Sequence, residues 1–567
     1  MQTAQIEIGP DGQILCTRFG DVYASAAGAW AQAHAVYLEG IELPSIATCQ
    51  ARLRILELGF GLGTNFLATW SAWRRHAAPG ARLDYLAVEA HPLTRAQWRC
   101  LPDRPGVPPD LLDHLLAQWP DIAPGLHLLS FDGGRVRLLL WLGEASAGLA
   151  AFDAPAHGAY LDGFAPDRNP AMWSSGVCRE LSRLLLPGAK AASYSVARSV
   201  RERLTAHGFL VQKAVGFAGK RERLVAVRRG QSPALGPGPI AGPVAVIGAG
   251  IAGLATARAL HSHGCAVTLY DPGGLRLRGA SGNAAALVHA EPGAGLPARL
   301  HNHGLRLALS CLRRAALEDS GVVMLPGVRD SDGAILEGGW VRPQRLAMWL
   351  GAPLELVRAL VSRILPDHDG WVLCSARRQR SYAHLVLACG WGGIQLWPPL
   401  ARRLEPVAGQ VELLRGDFGA LCAQPALGER WIIPLDGGEA LAGASFLSGV
   451  RDRRRRTSQT RRTLQALRVQ HGAQATHWTV ESTRAGIRVV SPDRRPMAGP
   501  LSRSGFWLRD GWPQALPGLW ASVAHGSRGF VSAFLAAELL AATIVGVHPA
   551  VPRELRLAVD PRRFERR

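Results

Sequence analysis

The sequence predicts an α/β protein of two successive domains, the first Rossmann-like and the second a nucleotide-binding α/β domain carrying an α+β subdomain. Three observations lead there. A strand running into a glycine turn and then a helix occurs twice, from Leu53 to Phe66 and from Val244 to Leu260. The chain has 567 residues, too many for one hydrophobic core. Between the two patterns lies Gln231-Ser-Pro-Ala-Leu-Gly-Pro-Gly-Pro-Ile-Ala-Gly-Pro243, which has almost no capacity for helix or strand. The expected division is residues 1–230, a Pro/Gly linker at 231–243, and residues 244–567.

Composition narrows the class. Hydrophobic residues make up 48% of the chain, enough for sizeable cores. Nine cysteines lack CxxC spacing, and the first residues, Met-Gln-Thr-Ala-Gln-Ile-Glu, lack the basic and apolar regions of a signal peptide. Reduced thiols, a cytoplasmic location and no metal site are expected. The one long apolar stretch, from Phe530 to Val547, contains Glu538 and is barely long enough to span a bilayer, so a buried helix is expected and no membrane contact. The formal charge of +20 suits a polyanionic partner such as nucleic acid. Nearly all these cations are Arg, so a bias of composition accounts for the charge equally well.

In the first domain the strand ending Glu57-Leu58 leads into Gly59-Phe-Gly61-Leu-Gly63-Thr-Asn65-Phe66. Glycines at this close GxGxG spacing suit a ligand whose amino-acid portion lies against the turn, the pattern of S-adenosylmethionine binding. The next strand, Leu83 to Glu89, ends in an acid placed to hold ribose hydroxyls. A third, Leu138 to Gly143, is followed by Glu144, expected near the adenine end. Each acid alone is an ordinary strand end, but three in register outline one site. The stretch Ala159-Tyr-Leu-Asp162-Gly163-Phe164-Ala-Pro166 brings Asp162 to the carboxyl end of a strand, where open α/β sheets bind ligands. Methyl transfer to an amine needs an unprotonated nitrogen in line with the sulfonium methyl, and a carboxylate there orients it or accepts its proton. Asp162 is the expected catalytic group of this half.

The second domain opens with Val244-Ala-Val-Ile-Gly248-Ala-Gly250-Ile-Ala-Gly253 and continues to Asp271. Gly248 lets the chain turn, Gly250 lets a pyrophosphate approach the backbone, Gly253 lets helix and strand pack closely, and Asp271 accepts from a ribose. Ser281 and Asn283, in Arg278-Gly-Ala-Ser281-Gly-Asn283, offer further phosphate and ribose contacts. Tyr382 to Gly390 reads as a later strand and glycine turn beside the nucleotide, and the insertion between these elements is expected to form a substrate-covering unit. Near the end, Arg484-Ala-Gly-Ile-Arg488 and His525-Gly526-Ser527-Arg528-Gly529 resemble the elements that close the flavin site in glycine-oxidase-like amine oxidases. That resemblance implies FAD as the cofactor, with Gly526, Ser527 and Gly529 beside it. It also implies that Arg488 pairs with a substrate carboxylate, a task Lys performs less well, and that Arg528 lies near flavin or substrate.

Taken together, Leu58 to Phe66, Leu161 to Trp173, Lys220-Arg-Glu222, Gly279 to Asn283, Pro406 to Val411, Ala485 to Arg488 and Gly526 to Gly529 are similar to the bifunctional tRNA 5-methylaminomethyl-2-thiouridine biosynthesis family, in the right order over nearly the whole chain. The resemblance implies a Rossmann-like methyltransferase domain followed by a glycine-oxidase-like FAD domain with an α+β substrate-covering subdomain. It implies oxidative removal of the carboxymethyl group from 5-carboxymethylaminomethyl-uridine at the tRNA wobble position, then N-methylation by S-adenosylmethionine. A base in the anticodon loop can be splayed into either pocket. Arg451-Asp-Arg453-Arg-Arg-Arg456 and Arg461-Arg462 are candidate RNA contacts, though a charge run is commonly a solvated helix or loop. The chain departs from the family pattern at Ala31, Gln32, Ile41 and Ala284 to Ala286. A monomer is expected. The competing reading is an oxidase of small amines fused to an unrelated methyltransferase.

Overall fold

The structure is a computed structural model that describes residues 1–565 apart from 11, 26, 103, 121, 154, 231–241, 320, 377, 420, 422, 423, 508–510 and 512, with backbone alone at 504–507. The chain divides into two compact units, Met1–Gly238 and Pro239–Arg567. Most of the expected linker, 231–241, lies outside the described residues.

The first unit is built on β1 (Arg52–Leu58), α1 (Thr64–His76), β2 (Arg82–Glu89), β3 (Gly125–Phe131), β4 (Val136–Leu142), β5 (Ala156–Leu161), β6 (Leu185–Ser193), β7 (Phe209–Val215) and β8 (Glu222–Arg228). Their order in one eight-stranded sheet is β7-β8-β6-β5-β1-β2-β4-β3. The pairs among β6, β5, β1, β2 and β4 are parallel, and β3 and β8 join antiparallel. Continuous apolar runs in β1, β2 and β4 suit strands covered on both faces, and their side chains pack with Phe66 and Trp70 of α1, both fully buried. Because β1 lies between β2 and β5, the strand order reverses beside it, and the crevice at the carboxyl ends of β1 and β5 is the place for a ligand.

At another level of the same sheet, Arg54, Asp84 and Arg137 stand opposite one another on β1, β2 and β4. Asp84 is 2% exposed and pairs with Arg52 and Arg137 at 3.4 Å each. Burial raises its carboxyl, but Arg137, Arg52 and Arg54 outweigh it and hold the group below the usual carboxylate range. The stabilisation is present above that range and is lost as pH falls through the depressed value. Asp84→Asn leaves buried guanidinium charge without its counter-ion and is expected to cost the first unit about 3–5 kcal/mol. Urea unfolding of the full chain reads this as an earlier first transition.

The second unit contains β9 (Val244–Ile247), α2 (Ile251–Ser262), β10 (Val267–Tyr270), β11 (Ala286–His289), β12 (Gly338–Val341), β13 (Glu355–Val357) and β14 (His384–Leu387). Then come β15 (Glu405–Arg415), β16 (Trp431–Pro434), β17 (Glu439–Gly443), β18 (Leu447–Ser448), α3 (Thr457–His471), β19 (Thr479–Val490), β20 (Met497–Trp507), β21 (Pro513–Val523) and α4 (Gly529–Ile544). A six-stranded sheet runs β13-β10-β9-β14-β21-β20, parallel throughout except for β20 on β21. A second, antiparallel sheet, β16-β17-β15-β18 with β19 on β15, forms the expected α+β subdomain. Gln410 and Glu412 on one face of that sheet reach Thr460 of α3, at 3.0 Å each. The other face carries Val411, which packs with Ala285 and with Trp340 of β12.

The stretch from Phe530 is the buried helix α4, and Glu538 within it is satisfied by the Ala550 N–H at 2.9 Å. Among the described residues no helix is long and apolar enough to cross a membrane, and no cluster of His, Cys, Asp and Glu could hold a metal ion.

Candidate active sites

In the first unit, residues from distant parts of the chain line one cavity: Phe19, Asp21, Tyr23 and Gln32 from the amino-terminal segment, Gly59, Gly61 and Asn65 from the glycine turn, Glu89 at the end of β2, Asp162 and Phe164 after β5, and Tyr194 and Lys220 further on. The turn demands glycine where it matters most. Gly59 has φ 79°, and a Cβ there would stand 2.2 Å from the Asp162 carbonyl oxygen, so β1 and β5 can approach only around a bare backbone. The following loop is fixed from the amino-terminal side, where the Asp21 carboxylate accepts from the Ala165 N–H at 2.9 Å and Phe19 stacks on Phe164 at 4.9 Å.

At the centre of this cavity one amide bridges two acids. Asn65 Nδ2 donates to Glu57 Oε1 and to Asp162 Oδ2, both at 2.8 Å. Glu57 is 1% exposed, and burial together with the charge of Asp162 pushes its carboxyl well above the usual range. Asp162 is raised by burial to about 6, held there against donation from Tyr37, Asn65 and the Gly163 backbone. Burial thus favours the protonated form of both acids. Lys220 Nζ lies 4.3 Å from the centre of the Tyr194 ring, and the Tyr194 hydroxyl donates to the Gly163 carbonyl at 2.8 Å. A cation, an aromatic face and a carboxylate thus converge on one opening.

Glu89 lines the cavity, and its carboxylate accepts from the Gly61 N–H at 2.8 Å and the His91 N–H at 2.7 Å, bracing the glycine turn. Glu144 is exposed at the start of the helix Ala145–Ala151 and is not among the residues lining the cavity. Of the departures from the family pattern, Gln32 lines the cavity and accepts from the Ser25 N–H at 3.0 Å, whereas Ile41 belongs to the core.

In the second unit Gly248 has φ 107° and its Cβ would meet Cys389 Cα at 2.7 Å, while a Cβ on Gly253 would lie 1.7 Å from the Gly248 carbonyl oxygen. Helix α2 therefore packs on the turn at a distance that only glycine permits. Gly250 stands at the N-cap of α2 and has no side chain of its own to cap it, so its bare backbone can approach an anion at the positive end of the helix. Asp271 accepts from the Ala249 N–H at 2.9 Å and the Gly273 N–H at 2.7 Å, holding the turn. Ser281 Oγ accepts from the Ile251 N–H at 3.2 Å, and Asn283 Oδ1 accepts from Arg484 at 2.7 Å.

Arg484 and Arg488 lie two and four residues apart from Gly486 and one another on β19, so alternation puts both on one face. Arg484 also donates to the Gly279 carbonyl at 2.5 Å and clamps the 278–283 loop, a role the sequence reading did not assign. Arg488 lies over Gly409, where a Cβ would stand 2.3 Å from the guanidinium, and donates to the Ser445 carbonyl at 3.2 Å. Arg488 is half-buried, partial removal of its guanidinium from water lowers its pKa, and no described carboxylate pairs with it. Arg528 is different: both of its terminal nitrogens bond Glu291, an acid the sequence reading had also missed. Arg528 is half-exposed and paired, whereas Arg488 is half-buried and meets no described carboxylate. Gly526 (φ 57°) donates its N–H to the Val489 carbonyl at 3.0 Å, joining the segment Gly526-Ser527-Arg528 to β19, and Gly529 packs against Ile251 of α2.

Residues 109–229 match the family model described as S-adenosyl-L-methionine-dependent methyltransferase, and residues 243–330 and 323–543 match that of FAD dependent oxidoreductase. Over 98% of its own length the chain is 34% identical to 97% of the tRNA 5-methylaminomethyl-2-thiouridine biosynthesis bifunctional protein of Ralstonia nicotianae. The chain belongs to this bifunctional tRNA 5-methylaminomethyl-2-thiouridine biosynthesis family. The protein of the same name from Azoarcus sp. is 34% identical over 99% of this chain and 97% of that one. Glycine oxidase from Geobacillus kaustophilus is similar to 54% of this chain over 95% of its own, with a TM-score of 0.44 and 18% identity. As a member of the bifunctional family, the chain is an enzyme with a methyltransferase and an oxidoreductase activity, using S-adenosylmethionine and FAD.

The residues present fit both groups. The bare backbone at Gly250, the start of α2 and the Ser281 hydroxyl form a cradle for a pyrophosphate. The Gly59–Gly63 turn, Glu89 and Asp162 border a single cavity of the kind an adenosyl sulfonium and an amine must share.

Proposed function

We propose that the two sites act in sequence on one nucleoside, the tRNA wobble uridine carrying a carboxymethylaminomethyl group at C5. Residues 244–567 are the FAD-dependent oxidoreductase domain and residues 1–230 the methyltransferase domain. FAD, when bound, accepts two electrons and a proton from the glycine-like C–N unit, and water then releases its carboxymethyl part as glyoxylate, leaving a primary amine. Arg488 binds the substrate carboxylate and sets which C–H faces the flavin; Arg484 holds the loop that borders the cofactor. In the other half Asp162 orients the new amine and takes its proton as the methyl group is transferred.

The observation that carries this reading is Arg488, a half-buried guanidinium with no described carboxylate partner on the sheet face that also bears Arg484. Such a cation selects an amine that bears a carboxylate. A tRNA partner is further supported by the exposed arginines at 451 and 453–455, since Arg451 lies over Trp391 at 5.2 Å and Arg453 reaches the Arg278 carbonyl at 3.4 Å, beside the flavin loop. The enzyme is expected to act in the cytoplasm as a monomer.

Nucleoside analysis tests the sequence of steps. Purified yellow enzyme with tRNA bearing carboxymethylaminomethyl-uridine is expected to give the aminomethyl form alone, and the methylaminomethyl form once S-adenosylmethionine is added. Unchanged tRNA alongside rapid oxidation of free N-methylglycine would sink the tRNA assignment in favour of a small-amine oxidase.

A further inference from the structure

We propose that Phe446 is the platform on which the uracil ring of the substrate stacks while Arg488 holds the carboxylate of its side chain. The proposal rests on the oxidoreductase reading above and adds to it the residue that recognises the base.

Strand register places the two residues on one face. In β18, Leu447 lies opposite Ala408 and Ser448 opposite Val407 of β15, and the Ser445 N–H continues the pairing to the Gln410 carbonyl at 3.0 Å. Phe446 therefore falls beside Gly409. On the other side of β15, Arg488 lies opposite Val407 and Gly486 opposite Gly409. Directly opposed residues share a face of the pleat, so Val407, Gly409, Phe446 and Arg488 belong to the same one. The Arg488 guanidinium lies over Gly409 and donates to the carbonyl of Ser445, the residue bonded to Phe446. The opposite face, with Gln410 and Glu412, is taken by α3.

The substrate's own dimensions complete the argument. From the carboxyl carbon to C5 of the ring there are four bonds, roughly 5 Å at full extension. A uracil whose carboxylate is paired with Arg488 must lie within one side-chain length of that guanidinium; Trp340 and Trp431 pack with Val411 further along that face, and Phe446 offers an exposed ring directly beside Gly409. It is 45% exposed, although its neighbour Ser445 is buried, and the Arg494 guanidinium stands 5.5 Å from its ring centre. A pyrimidine laid on this ring meets an apolar face with a cation beside it, the combination that holds unstacked bases elsewhere.

Anaerobic bleaching of the flavin provides the test. With subsaturating tRNA bearing carboxymethylaminomethyl-uridine, Phe446→Leu is expected to bleach about 10-fold more slowly than the parent enzyme, and Phe446→Tyr within about twofold of it. N-methylglycine has the carboxylate and the amine but no base, and its bleaching rate is expected to be the same in Phe446→Leu as in the parent. Equal rates with tRNA for Phe446→Leu and parent, or an equal loss with both substrates, would overturn the stacking role. Failure of the parent enzyme itself to be bleached by the tRNA would instead remove the oxidoreductase reading.

Discussion

Arg488→Lys is expected to slow flavin reduction by carboxymethylaminomethyl-uridine tRNA by roughly 100-fold, about 3 kcal/mol of lost orientation and binding at a buried charge pair. The size follows from what surrounds the guanidinium. It lies flat over the bare backbone of Gly409 and spends one donor on the Ser445 carbonyl. Its remaining donors have no described carboxylate to meet, so a planar carboxylate can dock on them in two parallel hydrogen bonds. Lysine keeps the charge but presents a point donor on a flexible stem, and it leaves the space above Gly409 to water. The carboxylate is then held without a fixed plane, and the adjacent C–H no longer keeps its angle to the flavin. Stopped-flow bleaching measures the loss. Two controls locate it: the visible flavin spectrum stays that of the parent enzyme, and methylation of tRNA that already bears the aminomethyl group proceeds at the parent rate. A variant bleached as fast as the parent would remove Arg488 from the substrate.

Much of this architecture is legible in the sequence because it rests on local signals. The strand, glycine turn and helix at Gly59 and at Gly248 are contiguous, and the glycines are required by backbone approaches of 2.2 Å and 2.7 Å to a would-be Cβ. Arg488 was legible through the motif around it. What escaped the sequence lies in long-range partners. Glu291 stands 237 residues from Arg528, and nothing local to either predicts their pairing. Arg484 donates to Gly279 across 205 residues. Its position four residues before Arg488 was nonetheless a usable signal, since strand alternation sends both to one face. Phe446 depends on the register of a two-residue strand, which no periodicity reveals. Of the two acids at this end of the sheet, Glu89 closes β2 and accepts from backbone donors, while Glu144 stands exposed beyond β4.

Asp162→Asn is expected to lower methyl transfer to aminomethyl-uridine tRNA by about 10²–10⁴-fold, the range for removing a general base, while flavin reduction in the other half is untouched. The pH profile carries more information than the rate. The amine must be neutral to attack, and that requirement alone makes log rate rise with slope 1 through the acid and neutral range. Asp162, raised by burial to about 6, must also be ionised, so below pH 6 the parent profile steepens to slope 2. In Asp162→Asn the second proton is gone and slope 1 persists to the lowest pH at which the protein remains folded. Glu57 supplies the contrast. It shares the Asn65 amide with Asp162, and burial and the charge of Asp162 push its carboxyl well above the usual range. Glu57→Gln puts a neutral amide of nearly the same shape in place of the protonated form that burial favours, so both limbs of the profile are expected to survive. If Glu57→Gln instead removed the steep limb and Asp162→Asn kept it, the base would be Glu57 and the roles of the two acids would be reversed. One bridging amide separates the two environments, and in that arrangement Asp162, which lines the cavity, is the acid placed to meet the amine.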